Sequence, residues 1–126
     1  MPSYHIRTCI PIVHSMTGRE EDKHTHSVEL ALYLSRPGGG MLRFRQVEEA
    51  VDRCLAPYRN RFLNAMPEFH DGAAIEQVGE VFFLRLRETM AAAGLVLERF
   101  EIGETPLRTY IIRQEDDHST EKDGIL

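Results

Sequence analysis

Two runs of strict alternation constrain this chain more than anything else in it. From Tyr4 to His14, the residues Ile6, Ile10, Ile12 and His14 share one parity; from His24 to Leu34, so do His24, His26, Val28, Leu30, Leu32 and Leu34. Side chains two apart on a strand point to the same face, so each run predicts a half-buried strand with its apolar residues inward. The polar segment from Ser15 to Lys23, which contains Gly18, joins them as a loop. Such a hairpin returns the start of the second strand to the end of the first. His14, His24 and His26 then converge at one end of the sheet, on its apolar side. Three imidazoles at a dry sheet end suit Zn²⁺, which at catalytic sites takes three protein ligands and keeps a fourth position open. A lone strand histidine is more often a surface or core residue, and a His-x-His pair arises readily by chance. The third histidine at the matching strand end is what favours a metal. His5 lies on the opposite strand face, and His70 and His118 have no such pairing.

Beyond Leu34, Pro37 and the glycines Gly38 to Gly40 mark a turn, and the period changes. Val47, Val51, Cys54, Leu55 and Tyr58 follow helical spacing and predict a helix from Phe44 to about Tyr58. An irregular stretch, Arg59 to Gly72, contains the breakers Pro67 and Gly72. A longer helix is predicted from Ala73 to Ala93, with Ile75, Val78, Phe82, Leu86 and Met90 as its core stripe and Gly94 as its stop. Val96 to Glu104 and Leu107 to Arg113 predict two more strands, separated at Pro106. The order is β-β-α-α-β-β, an α+β arrangement with two helices on one face of an antiparallel sheet. Residues 1–113 make the domain, and residues 114–126 are expected to be an acidic, mobile tail. The edges of a four-stranded sheet need management, and closing several copies into a ring would remove them.

Size and charge narrow the function. At 126 residues the chain suits one domain, for which oligomerisation is an easy way to bury more surface. A net charge of −5 argues against a broad nucleic-acid-binding face. No apolar run resembles a signal peptide or approaches the ~20 residues of a membrane span, so a soluble cytoplasmic protein is expected. The two cysteines, Cys9 and Cys54, form no Cys-x-x-Cys pair and read as reduced core thiols.

These residues resemble the family of 6-pyruvoyl tetrahydropterin synthase and 6-carboxytetrahydropterin synthase, from about Tyr4 to Ile112. The landmarks come in the family's order: a histidine closing the first strand (His14), a His-x-His opening the second (His24-Thr25-His26), and a Leu-Asn after the first helix (Leu63-Asn64). Next come a Glu-Asn-like pair opening the second helix (Glu76-Gln77) and a Glu-Thr at the turn after the third strand (Glu104-Thr105). The resemblance implies the T-fold, zinc as cofactor, and a homo-oligomer, trimer or hexamer, with sites at subunit interfaces. It implies lyase or cyclase chemistry on a pterin or related heterocycle with an oxygenated side chain. It assigns His14, His24 and His26 to the metal, and Glu104, Thr105 and Glu76 to the substrate. A carboxylate at Glu104 can accept two parallel N–H bonds from an aminopyrimidinone edge, as it does from a guanidinium.

The chain also departs from the family. Where the family has its catalytic cysteine, four residues before the His-x-His, stands Glu20. Some relatives carry a glutamate there, which makes Glu20 the candidate base; the loop also offers Glu21 and Asp22 to that place, and the alternative is a solvated acidic loop. The family's Asp-His pair, which relays protons, is replaced by Arg59-Asn60, and its Asp-Phe before the first helix by Arg43-Phe44. His70-Asp71 offers a replacement pair in a different loop. Arg43, Arg45, Arg59 and Arg61 read either as an anion-binding group or as a solvated helix flank. Two functions remain open: a zinc-dependent enzyme with altered proton transfer, or an inactive relative that binds a ligand or regulates.

Overall fold

The computed structural model describes residues 3–116. Strands β1 (Ser3–His14) and β2 (His24–Ser35) open the chain, helices α1 (Phe44–Leu55) and α2 (Ile75–Ala92) follow, and β3 (Val96–Thr105) and β4 (Arg108–Arg113) close it. The strands form one antiparallel sheet in the order β1-β2-β3-β4. The expected α+β order is therefore observed. Of the tail, residues 114–116 form a short 3-10 turn; the remainder, with His118, lies outside the described residues.

One sheet face makes the core. Ile6, Ile10 and Ile12 of β1, Val28, Leu30, Leu32 and Leu34 of β2, and Leu97, Phe100 and Ile102 of β3 are all buried. Val47, Val51 and Leu55 of α1, with Val78, Phe82, Leu86 and Met90 of α2, cover them. Each large apolar side chain so buried stabilises the fold by roughly 1.5–3 kcal/mol. Helix α2 lies close on β3 and β4 because Gly79 has no side chain. A Cβ there would stand 2.9 Å from Ile102 Cγ2 and 3.1 Å from Tyr110 Cδ2. At the other end of α2, Gly94 adopts φ +78. The amides of Gly94 and Leu95 donate to Ala91 O and Met90 O, a Schellman stop that leads straight into β3.

Three local features differ from the sequence expectation. Helix α1 ends at Leu55, and Ala56–Tyr58 is a 3-10 turn; Pro57 lacks the N–H that an α-helix would need there. Helix α2 begins at Ile75 rather than Ala73. Cys9 is exposed and Cys54 half-buried, so they are not two core thiols: Cys9 has the outward parity of β1.

The free edge of β1 is partly covered within the chain. Asn60 N–H donates to Pro11 O at 2.7 Å, Val13 N–H donates to Arg61 O at 3.1 Å, and Val13 bridges to Phe62. Asn60 makes the bend at φ +57, a conformation asparagine tolerates better than most residues. Edge management therefore begins inside one chain, on the strand that ends in His14. Among the described residues, no helix is long and apolar enough to cross a membrane.

Candidate metal centre

The register that builds the core also builds the site. His14 pairs opposite His24, and Ile12 opposite His26. All three imidazoles thus reach the core face at the loop end of the first hairpin. One nitrogen from each lies within 4.8 Å of the others, and the ring centroids stand 4.5, 4.6 and 5.2 Å apart. His14 is fully buried, His26 half-buried and His24 exposed.

The buried member carries the polar atom most in need of a partner. His14 Nδ1 lies 2.7 Å from the Ala73 carbonyl. A carbonyl can only accept, so Nδ1 carries a proton, and in the neutral ring Nε2 is the nitrogen left with a free lone pair. That Nε2 is buried and has no hydrogen-bond partner. Leaving a buried polar atom unsatisfied costs about 1–3 kcal/mol, and a metal ion would satisfy it. A carbonyl on the far nitrogen is also how proteins fix the tautomer of a ligating histidine. The donor set fits a metal ion.

Two amides hold this arrangement, and reading the sequence missed their part in it. Asn64 clasps the backbone next to His14: its Oδ1 accepts from Ser15 N–H at 2.8 Å and its Nδ2 donates to Ser15 O at 3.0 Å. Gln77 fastens the segment that carries Ala73. Its Oε1 accepts from Ala74 N–H at 2.8 Å and its Nε2 donates to Asp71 O at 2.7 Å. Ala74 has no side-chain acceptor to cap α2, so Gln77 reaches back to the Ala74 N–H in its place. Gly72, at φ +124, makes room: a Cβ would meet the Gln77 amide at 2.9 Å. The only sequence signal was that both residues belong to landmark pairs, Leu63-Asn64 and Glu76-Gln77. Replacing Asn64 by alanine strips both partners from Ser15. Metal affinity, read by competition with a chelator, is expected to fall about tenfold, with a loss of ~1–2 kcal/mol in stability by urea denaturation.

The residues expected to meet substrate lie together beside the cluster. Glu76, Glu104 and Thr105, with Arg108 and Tyr110, line a cavity of about 310 Å³, at the lower end of the range for small-ligand sites. Glu104 is also close to the histidines: Oε1 is 3.7 Å from His14 Nε2, and Oε2 is 3.4 Å from His26 Nε2. A register irregularity between Ile102 and Thr105 shapes this part of β3. Tyr110 donates to Glu80 at 2.8 Å. That bond, reinforced by burial, pushes its phenol up to about 12, so it stays protonated in the cavity wall at neutral pH.

The other candidates stand apart from the cluster. Glu20 is exposed on the 3-10 turn Glu20–Asp22 and pairs with Lys23 at 3.2 Å. His70 and Asp71 pair with each other at 3.3 Å, both largely exposed, and neither touches the three histidines. Arg59 and Asn60 belong to the turn that covers the β1 edge. Arg43, Arg45, Arg59 and Arg61 are all exposed, as a solvated flank would be.

The family model for 6-pyruvoyl tetrahydropterin synthase matches residues 4–115. The chain belongs to that family. Solved structures agree on the fold. The Caenorhabditis elegans 6-pyruvoyl tetrahydropterin synthase superposes with a TM-score of 0.69 at 19% identity, over 90% of this chain and 96% of that one. A Plasmodium vivax 6-pyruvoyltetrahydropterin synthase, described as a catalytic-residue mutant with a glutamate changed to alanine, gives 0.63 at 12%, over 90% and 97%. An uncharacterized protein of Wolinella succinogenes gives 0.62 at 13%, over 90% and 99%. No curated protein matches the sequence. At these identities the structural likeness shows the T-fold, an antiparallel sheet with two helices; family membership rests on the sequence match.

Proposed function

We propose that this protein is a zinc-dependent lyase or cyclase of the pterin-synthase type, acting on a pterin or related heterocycle with an oxygenated side chain. The observation that carries the reading is the buried, partnerless Nε2 of His14, aimed at His24 and His26 beside a cavity lined by carboxylates. His14, His24 and His26 would hold the metal, which when bound supplies a Lewis acid for a substrate oxygen. Glu104 and Glu76 would accept N–H bonds from the heterocycle, with Thr105 as a further polar contact. Glu20 is the candidate base. It sits on the loop between the ligand-bearing strand ends, and its ion pair with Lys23 is exposed, the kind worth little and easily broken. The glutamate named as catalytic in the Plasmodium vivax enzyme supports a carboxylate in that task. Among the described residues β4 has one sheet neighbour, β3, so its outer edge is available to a second copy. This favours a homo-oligomer with sites completed at subunit junctions.

A second reading has its own support. Arg59 and Asn60 occupy the places of the family's proton relay and serve the sheet edge instead. A protein with the metal cluster but no relay would bind a pterin without transforming it. Incubating zinc-loaded protein with dihydroneopterin triphosphate separates the two. Mass spectrometry should find a product that has lost the triphosphate or part of the side chain. Recovery of tightly bound, unaltered ligand would establish the binding protein instead.

A further inference from the structure

We infer that Glu104 is a fourth, displaceable ligand of the metal, closing the three-histidine site when no substrate is present. The inference rests on the proposed metal at His14, His24 and His26 and goes beyond it, because it gives one carboxylate two competing tasks.

The argument starts from an electrostatic mismatch. His14 Nδ1 donates to Ala73 O at 2.7 Å, so in the neutral ring that a metal ligand requires, the buried Nε2 is a bare lone pair. Opposite it, at 3.7 Å, stands Glu104 Oε1, and the other carboxylate oxygen lies 3.4 Å from His26 Nε2. Both separations exceed the 2.7–2.9 Å of a charge-assisted N–H···O bond, and His14 Nε2 makes no hydrogen bond at all. A lone pair facing an anionic oxygen is repulsive unless a cation lies between them. Zinc bonds of 2.0–2.2 Å to nitrogen and oxygen place tetrahedral neighbours about 3.4 Å from each other. The gaps to Glu104 are close to that spacing and too wide for a shared proton.

Glu104 is also able to leave. Its side chain is 35% exposed, and it forms part of the cavity wall with Glu76 and Arg108. The carboxylate therefore borders both the histidines and the space a heterocycle would fill. It cannot serve the metal and a ring N–H edge at once, so ring binding would draw it off the metal and open the fourth position as substrate arrives.

The test loads wild type, Glu104→Gln and Glu104→Ala with Co²⁺ and follows the visible spectrum. Azide is the probe, because it binds a cobalt ion only where a coordination position is open. The expected result is Co²⁺ affinity lowered about tenfold or more in both variants, with azide binding at least tenfold tighter than to wild type. Circular dichroism confirms that the variants are folded. Equal Co²⁺ and azide affinities in all three proteins would overturn the fourth-ligand role while leaving the three-histidine site standing. Failure of folded wild type to take up Co²⁺ or zinc would overturn the metal site itself, and this inference with it.

Discussion

His24→Ala is expected to empty the metal site and abolish turnover while leaving the fold intact. His24 is exposed at the start of β2, so its loss opens no cavity in the core; besides its edge contacts with the His14 and His26 rings, its ring has a long 3.4 Å contact with the Asp22 carbonyl. As a metal ligand it would carry far more. A site left with two histidines should lose more affinity than the ~10–100-fold that removal of an outer partner costs. Zinc analysis after gel filtration, made on protein without a histidine tag, reads the first effect, and product formation the second. Wild-type zinc content together with wild-type activity would defeat the assignment. His14→Ala is the less clean test, because His14 is fully buried and bonded to Ala73.

Gly103→Ala is expected to separate the two halves of the site. Gly103 lies where the β3–β4 register shifts, and a Cβ there would stand 2.5 Å from Arg108 O and 3.0 Å from Thr109 Cγ2. The first neighbour is backbone, so the hairpin itself must give, at a cost of about 1–3 kcal/mol typical of overpacking. The displaced segment is the one that carries Glu104 and Thr105. The three histidines stand on β1 and β2, so metal uptake should persist, weakened about tenfold at most by the shift of Glu104, while affinity for a pterin falls further still. Isothermal titration with the metal and then with the pterin measures the two separately. Unchanged pterin affinity would mean that this hairpin does not hold the ring.

Much of the architecture could be read from periodicity. The alternation in β1 and β2 placed every inward apolar residue and all three histidines on one face, because a strand's side-chain period of two leaves no other choice. The helical stripes of α1 and α2 were equally legible, and Gly94 marked the end of α2. The misplacements were local. Tyr58 kept helical spacing and is buried, yet the backbone leaves the α-helix before Pro57, since spacing reports which side a residue faces and not which hydrogen bonds its backbone makes. The stretch from Arg59 to Gly72 looked merely irregular, and there the structure found the strand-edge cover and the Asn64 clasp.

What the sequence determined by itself was the meeting of His14, His24 and His26, because a hairpin relates neighbouring strands by a short-range rule. The tertiary structure alone decided which nitrogen of His14 faces inward, since the deciding carbonyl, Ala73, is 59 positions away. It alone set Asn64 against Ser15 across 49 positions, and Glu104 against the cluster from a strand that follows both helices in the chain. These contacts depend on how α2 packs over the sheet and how β3 pairs with β2 within it. That packing is fixed by the summed shape of many buried side chains, and no local pattern in the chain encodes it.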